Sequence, residues 1–325
     1  NFQQYMDWIS RLEKLDDVID QYIALAMEGI ENQVMPPKIL MNRVLNQIKL
    51  QNVDSYINSP FYDAFEVLPD EISNDEQKQI REQAQITITN VVIPSYVKLL
   101  NFFENSYYPN CRDTIGISDI KNGSQYYELI ARQFTTTDLT PDEIHNIGLS
   151  EVSRIKNEMF KVMDQVQWNG SFDEFLNFLR TDSQFYFETG EELFTEYLAT
   201  SKRIDPLLVK LFKDLPSMPY GLKPIPMESA PDTTTAYYQR PAADGSRAGY
   251  YYVNLYMPEV RPKYEIEALS LHEAMPGHHL QIAYTMELDL PNFRKYGGYT
   301  AFVEGWGLYA ESLGEDLGMY KDPYS

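Results

Sequence analysis

The chain has 325 residues, 43% of them hydrophobic, with 25 Tyr, 16 Phe and 3 Trp, which excludes a disordered polymer and allows one or two domains with a large core. Forty-eight acidic against 27 basic side chains give a formal net charge of −21, and no Lys/Arg run offers a patch for phosphates, which argues against a nucleic-acid partner. The single cysteine, Cys111, excludes an intrachain disulfide and a thiolate-rich metal site.

No apolar run approaches the ~18 residues of a membrane span, so no transmembrane segment is expected in the chain. No signal peptide is visible, but the chain starts at Asn1 in the middle of an amphipathic pattern, as it would after removal of a leader or an earlier segment, so this absence decides nothing. Phe2, Tyr5, Ile9, Leu12, Val18 and Tyr22 predict one amphipathic helix to about Met27. Pro36-Pro37 opens a second helix, and Asn58-Ser59-Pro60 breaks the chain before Phe61-Tyr62. Asn74-Asp75-Glu76 starts a long helix to about Phe103, kinked at Pro94, with Ile80, Ala84, Val91 and Tyr96 as core positions.

Thr140-Pro141-Asp142-Glu143 is a helix start: Thr140 as N-cap, Pro141 as first helical residue and Glu143 as capping-box partner. His145, near that start, has no ligand-type partner at metal spacing and is read as structural or solvated. Shorter helices follow around Phe172–Leu179 and Glu191–Thr200. From Leu215 to Pro262 the chain turns rich in Pro and Tyr. Here Ala236–Gln239 and Gly249–Tyr256 predict a small antiparallel sheet turning across Ala243-Asp244-Gly245. Such a strand serves equally as a plain hairpin or as an edge that holds an extended substrate. The expected organisation is one mainly helical domain, or a portion of a longer one. It has a helical region over 1–205, a small β region over 206–262 and a pair of chemistry-bearing helices over 263–325.

Those last helices hold the chemistry. The chain has four histidines, and three of them, His272, His278 and His279, lie within eight residues. His272 is followed by Glu273, the arrangement in which imidazoles bind zinc and the glutamate handles the proton of a metal-activated water. The spacing departs from the usual i, i+4, because Pro276 occupies that position and removes a backbone hydrogen bond. On an unbroken helix His278 would lie ~240° from His272, and His279 would share its face ~10 Å further along. A break at Pro276-Gly277 that loops out a residue or two returns His278 to the i+4 place. His278 is therefore the expected second ligand, with His279 as its alternate or as a residue supporting a ligand. Glu304, 26 positions after His278, offers the third ligand, and Glu311, two turns on, could hydrogen-bond a ligating imidazole.

The stretches His272-Glu273-Ala274-Met275-Pro276-Gly277-His278-His279 and Glu304-Gly305-Trp306-Gly307-Leu308-Tyr309-Ala310-Glu311, with the Thr-rich cap at 135–141 and Asp244-Gly245-Ser246-Arg247, closely resemble the bacterial family known as domain of unknown function 885. The resemblance runs from about residue 115 onward. That family is similar to helical zinc peptidases with a Glu third ligand, the thimet-oligopeptidase-like and carboxypeptidase-Taq-like enzymes. It implies a mainly helical, cleft-containing fold with a small antiparallel sheet beside the metal helix, a Zn²⁺ cofactor, and members that are exported or lipid-anchored. Its members usually continue past the Glu304 helix, through a Tyr/Arg-rich stretch and a Pro-Gly-Gln motif, so these 325 residues are expected to be part of a longer protein.

The function so implied is zinc-dependent hydrolysis of a peptide or small amide, with His272, His278 and Glu304 as ligands and Glu273 as general base. Tyr251 or Tyr252 is the candidate for stabilising the oxyanion. Two other readings stand beside it. One is a non-catalytic helical binding protein with a structural or vestigial metal site closed by a fourth ligand such as His279; the other is a zinc amidase or esterase acting on a non-peptide substrate.

Overall fold

The computed structural model describes residues 1–325, which fall into two compact units, Asn1–Tyr127 and Glu128–Ser325. This division differs from the three sequence regions, because the helices before residue 205 are shared between the two units.

In the first unit the single helix expected over residues 2–27 is two, α1 (Phe2–Leu12) and α2 (Leu15–Glu31). The six-residue gap between Leu12 and Val18 already breaks the helical stripe, and the turn at Glu13–Lys14 brings Ile19 rather than Val18 inward. Next come α3 (Lys38–Leu50), the short α4 (Asp63–Glu66), α5 (Asn74–Thr87) and α6 (Ile93–Phe102). A π turn over Ile88–Val92 joins α5 to α6, and another over Phe103–Tyr107 carries the helical run to Asn110. The π turn just before Pro94 accommodates the missing N–H without ending the helix. Its wider pitch also keeps residues four apart aligned, so Ile80, Ala84, Ile88 and Val92 are buried and Val91 is not. Together with Ile9, Leu12 and Phe65 they form the core of this unit. Contrary to the sequence expectation, the run Asn74–Asn110 is long and apolar enough to cross a membrane by length and composition, with mean hydropathy 1.3. One face of it is committed to the core just described.

The second unit begins within α7 (Gly123–Thr135), which the sequence pattern did not show, and continues with α8 (Pro141–Gln165), α9 (Phe172–Thr181) and α10 (Gly190–Ile204). The capping box at the start of α8 forms as expected: the Glu143 N–H donates to Thr140 Oγ1, and the Thr140 N–H donates to the Glu143 carboxylate. Thr140→Ala is expected to lower stability by about 1 kcal/mol, read as a shift of the urea midpoint.

The sheet is mixed and three-stranded rather than a two-stranded antiparallel hairpin. Its strands are β1 (Tyr220–Pro224), β2 (Ala236–Gln239) and β3 (Gly249–Val253), in the order β1-β3-β2. β1 runs parallel to β3, with Tyr220 opposite Gly249, and β2 runs antiparallel to it, with Tyr238 opposite Tyr251. Behind the sheet lie α10 and α11 (Ile266–Glu273), and their shared core holds Leu193, Tyr197, Tyr251, Val253, Ile266 and Ala274. After α11 come α12 (His278–Glu287), the short α13 (Asn292–Tyr296) and α14 (Thr300–Leu317), which lies along α11 and also touches α12.

Candidate functional site

The last turn of α11 carries His272 and Glu273, and the chain then leaves the helix at Ala274 (φ −100°, ψ −110°). The Met275–Pro276 peptide is cis, and helix resumes at His278 after Gly277 (φ −76°, ψ −126°). The His279 N–H donates to the Ala274 carbonyl across this break, at 3.1 Å. Two helices thus replace one. His278 becomes the first residue of a new helix, and its ring turns back on His272, edge to face with centroids 4.6 Å apart.

α14 supplies the third group. Glu304 Oε2 is 3.5 Å from His272 Nε2 and 3.7 Å from His278 Nε2, and the three ligand-type atoms lie within 4.8 Å of one another. Ligands at ~2.1 Å in a tetrahedron stand about 3.4 Å apart, and the two separations from Glu304 Oε2 are close to that value. Two imidazoles and one carboxylate also leave one tetrahedral position without a protein ligand.

The surroundings orient the rings. His272 Nδ1 lies 2.7 Å from Glu311 Oε1, so Nδ1 carries the proton and Nε2 turns its lone pair toward Glu304 and His278. That hydrogen bond is the main reason the His272 pKa is raised. Glu311 is itself braced, since the Tyr320 hydroxyl donates to its carbonyl at 2.6 Å. Gly307 gives the ring its space, because a Cβ there would lie 2.5–2.8 Å from three His272 ring atoms. Trp306 pins the helix break, its Nε1–H donating to the Pro276 carbonyl at 2.9 Å. Burial holds the His278 pKa down.

His279 points elsewhere. Its Nδ1 is 2.7 Å from the Tyr238 hydroxyl and its Nε2 is 2.9 Å from the Met218 carbonyl. Burial pushes its pKa down to about 4, so the neutral ring donates from Nε2 and accepts at Nδ1. With both nitrogens engaged, His279 ties β2 to the segment before β1 and is not placed as a ligand.

Glu273 turns toward the sheet and is only 8% exposed. The Asn254 N–H donates to the Thr235 carbonyl, and alternation along an antiparallel ladder then turns the main-chain groups of Ala236 and Tyr238 away from β3, to the free edge of the sheet. The Tyr238 N–H lies on the Glu273 side there and opposes the rise of its pKa. Burial pushes the Glu273 carboxyl up to about 7; His272 opposes the shift, and the charges of Glu304 and Glu311 add to it.

Neither tyrosine expected to stabilise an oxyanion is placed to do so. Tyr251 is fully buried, edge-on to Tyr197 at 5.8 Å, with its hydroxyl in the interior beside Ser270. Tyr252 points to the opposite face of β3 and stacks on Tyr237 at 4.9 Å. Period-two alternation forces this, because adjacent strand residues cannot face the same side. His145 is exposed on α8.

The sequence assigned no role to Tyr238, Trp306 or Gly307, although the last two lie in the Glu304–Glu311 stretch that carries the family resemblance. Gly307 inside a helix was a legible signal, since a helical glycine can mark a packing constraint, whereas Gly305 faces open space. For Tyr238 and Trp306 no local pattern exists.

Residues 1–325 match the family described as "Bacterial protein of unknown function (DUF885)", so the likeness extends over the amino-terminal unit as well as the part after residue 115. The chain is also similar to the crystal structure of "the putative lipoprotein from Colwellia psychrerythraea", with a TM-score of 0.92 and 29% identity over 99% of this chain. It spans 57% of the length of that protein. No curated protein matches it. A match over every residue makes the chain a member of the bacterial DUF885 family.

Proposed function

We propose that the protein is a zinc-dependent hydrolase of peptide or related amide bonds, built on a helical zinc-peptidase-like scaffold. The observation that carries this reading is the convergence of His272, His278 and Glu304 within 4.8 Å, with Glu311 fixing the tautomer of His272. Zn²⁺ held by those three side chains would act as a Lewis acid and lower the pKa of water toward about 7. Glu273 takes the proton of the attacking water on its carboxylate and returns it to the leaving nitrogen. The free edge of β2 lies beside that carboxylate for an extended substrate.

A structural zinc site needs four protein ligands, and the engagement of both His279 nitrogens speaks against the nearest candidate for the fourth. The likeness to a putative lipoprotein supports a place in the cell envelope. The test is metal analysis together with a substrate panel of peptides, cell-wall amides and simple esters. We expect one zinc per chain and zinc-dependent cleavage of peptides. Zinc-dependent cleavage of non-peptide amides or esters alone would select the amidase or esterase reading. Stoichiometric zinc with no hydrolysis of any member of the panel would select the structural site, and no bound zinc would end all three.

A further inference from the structure

The two imidazoles of the proposed centre are supported unequally. His272 Nδ1 has a carboxylate partner, whereas His278 Nδ1 is buried and makes no hydrogen bond within the protein. One other buried atom on the same helix is also without a partner, Gln281 Oε1. The two are chemically complementary: an imidazole Nδ1–H donates, and an amide oxygen only accepts. They belong to residues three apart on α12, which are neighbours on one helix face.

The orientation of the amide is fixed from its other end. The Thr285 hydroxyl donates its one proton to the Gln281 main-chain carbonyl at 2.7 Å. It can then only accept, and it does so from Gln281 Nε2 at 3.2 Å. Nε2 therefore faces Thr285, one turn toward the C-terminus, and Oε1 is the arm left for the turn that holds His278.

We propose that Gln281 is a positioning residue for His278: its Oε1 accepts the Nδ1–H through one bridging water, with the amide still held by Thr285, and so keeps Nε2 unprotonated toward Glu304. The assignment rests on the metal-centre reading for its purpose but not for its test. Thr285, Gln281 and His278 then form a relay along α12, while on the other side His272 is backed directly by the Glu311 carboxylate from α14. One ligand is backed by a carboxylate and the other by a neutral amide, which limits the negative charge gathered around the ion.

The experiment is nitrogen-15 NMR of labelled histidine, with and without zinc, on wild type, Gln281→Met and Gln281→Glu. The His279 ring, held as the Nε2–H form by Met218, serves as internal reference. The expected result is a single Nδ1–H form of His278 in the wild type even without metal. In Gln281→Met the two tautomers mix and zinc affinity falls by about 10–100-fold, and Gln281→Glu, which keeps an acceptor, restores both. A wild-type His278 protonated at Nε2 overturns the proposal without recourse to any variant. So does a Gln281→Met protein whose tautomer is unchanged, as a packing role would leave it, or a Gln281→Glu protein no better than the Met variant. If the wild type binds no zinc, the metal reading falls while the zinc-free tautomer still decides the role of Gln281.

Discussion

Glu273→Gln is expected to reduce peptide hydrolysis by about 10²–10⁴-fold while zinc stays bound. The substitution is isosteric, so the packing of this buried side chain against β2 survives. The lost element is a carboxylate able to hold a proton between water and the departing nitrogen. Glu273 is not among the three converging ligand atoms, which come from its neighbour His272 on the α14 side and from His278 and Glu304. Metal content and catalysis should therefore separate in this variant, whereas His272→Ala should lose both. Steady-state hydrolysis with parallel metal analysis reads the difference. Hydrolysis within a few-fold of wild type in Glu273→Gln would remove Glu273 from the mechanism and leave the ion without a base on this chain.

Local chemistry made part of this arrangement readable in advance. Thr140, Pro141 and Glu143 act within one turn of each other, so their capping box needs no tertiary context. The helix break at Pro276-Gly277 could be inferred because His278 has no other way to meet His272. What escaped depends on distant parts of the chain. β1 is short, carries Gly221 and Pro224, and exists because it pairs in parallel with β3, about 29 residues later. The run through Pro94 depends on a π turn, which no periodicity announces. The choice between His278 and His279 lay with Tyr238 and Met218, whose contacts with His279 span 41 and 61 residues. The tyrosine error was different in kind: Tyr251 and Tyr252 alternate across a strand, so at most one of them could have faced the site, and the core took it.

The helix break itself yields the second large effect. In Gly277→Ala the new Cβ would overlap the main-chain carbonyl oxygens of Leu271 and His272. Those atoms belong to the last turn of α11, where the backbone is held by helical hydrogen bonds, and no rotamer change can relieve the overlap. The loop must move instead, and Trp306 anchors it at the Pro276 carbonyl. Overpacking of this kind costs about 1–3 kcal/mol. The larger consequence is geometric, because His278 follows Gly277 directly and starts α12. A shift of about 1 Å there takes its Nε2 out of the range in which it can share an ion with His272 and Glu304, while Glu311 continues to hold the His272 ring. Gly277→Ala should thus lose zinc affinity far beyond its loss of stability, by more than the roughly 10–100-fold expected when only a supporting hydrogen bond is removed. Competition with a chelating dye, alongside thermal unfolding of the zinc-free protein, measures the two separately. A variant that keeps wild-type affinity would mean that the tight turn does not set the position of His278, and the convergence of the three side chains would need another cause.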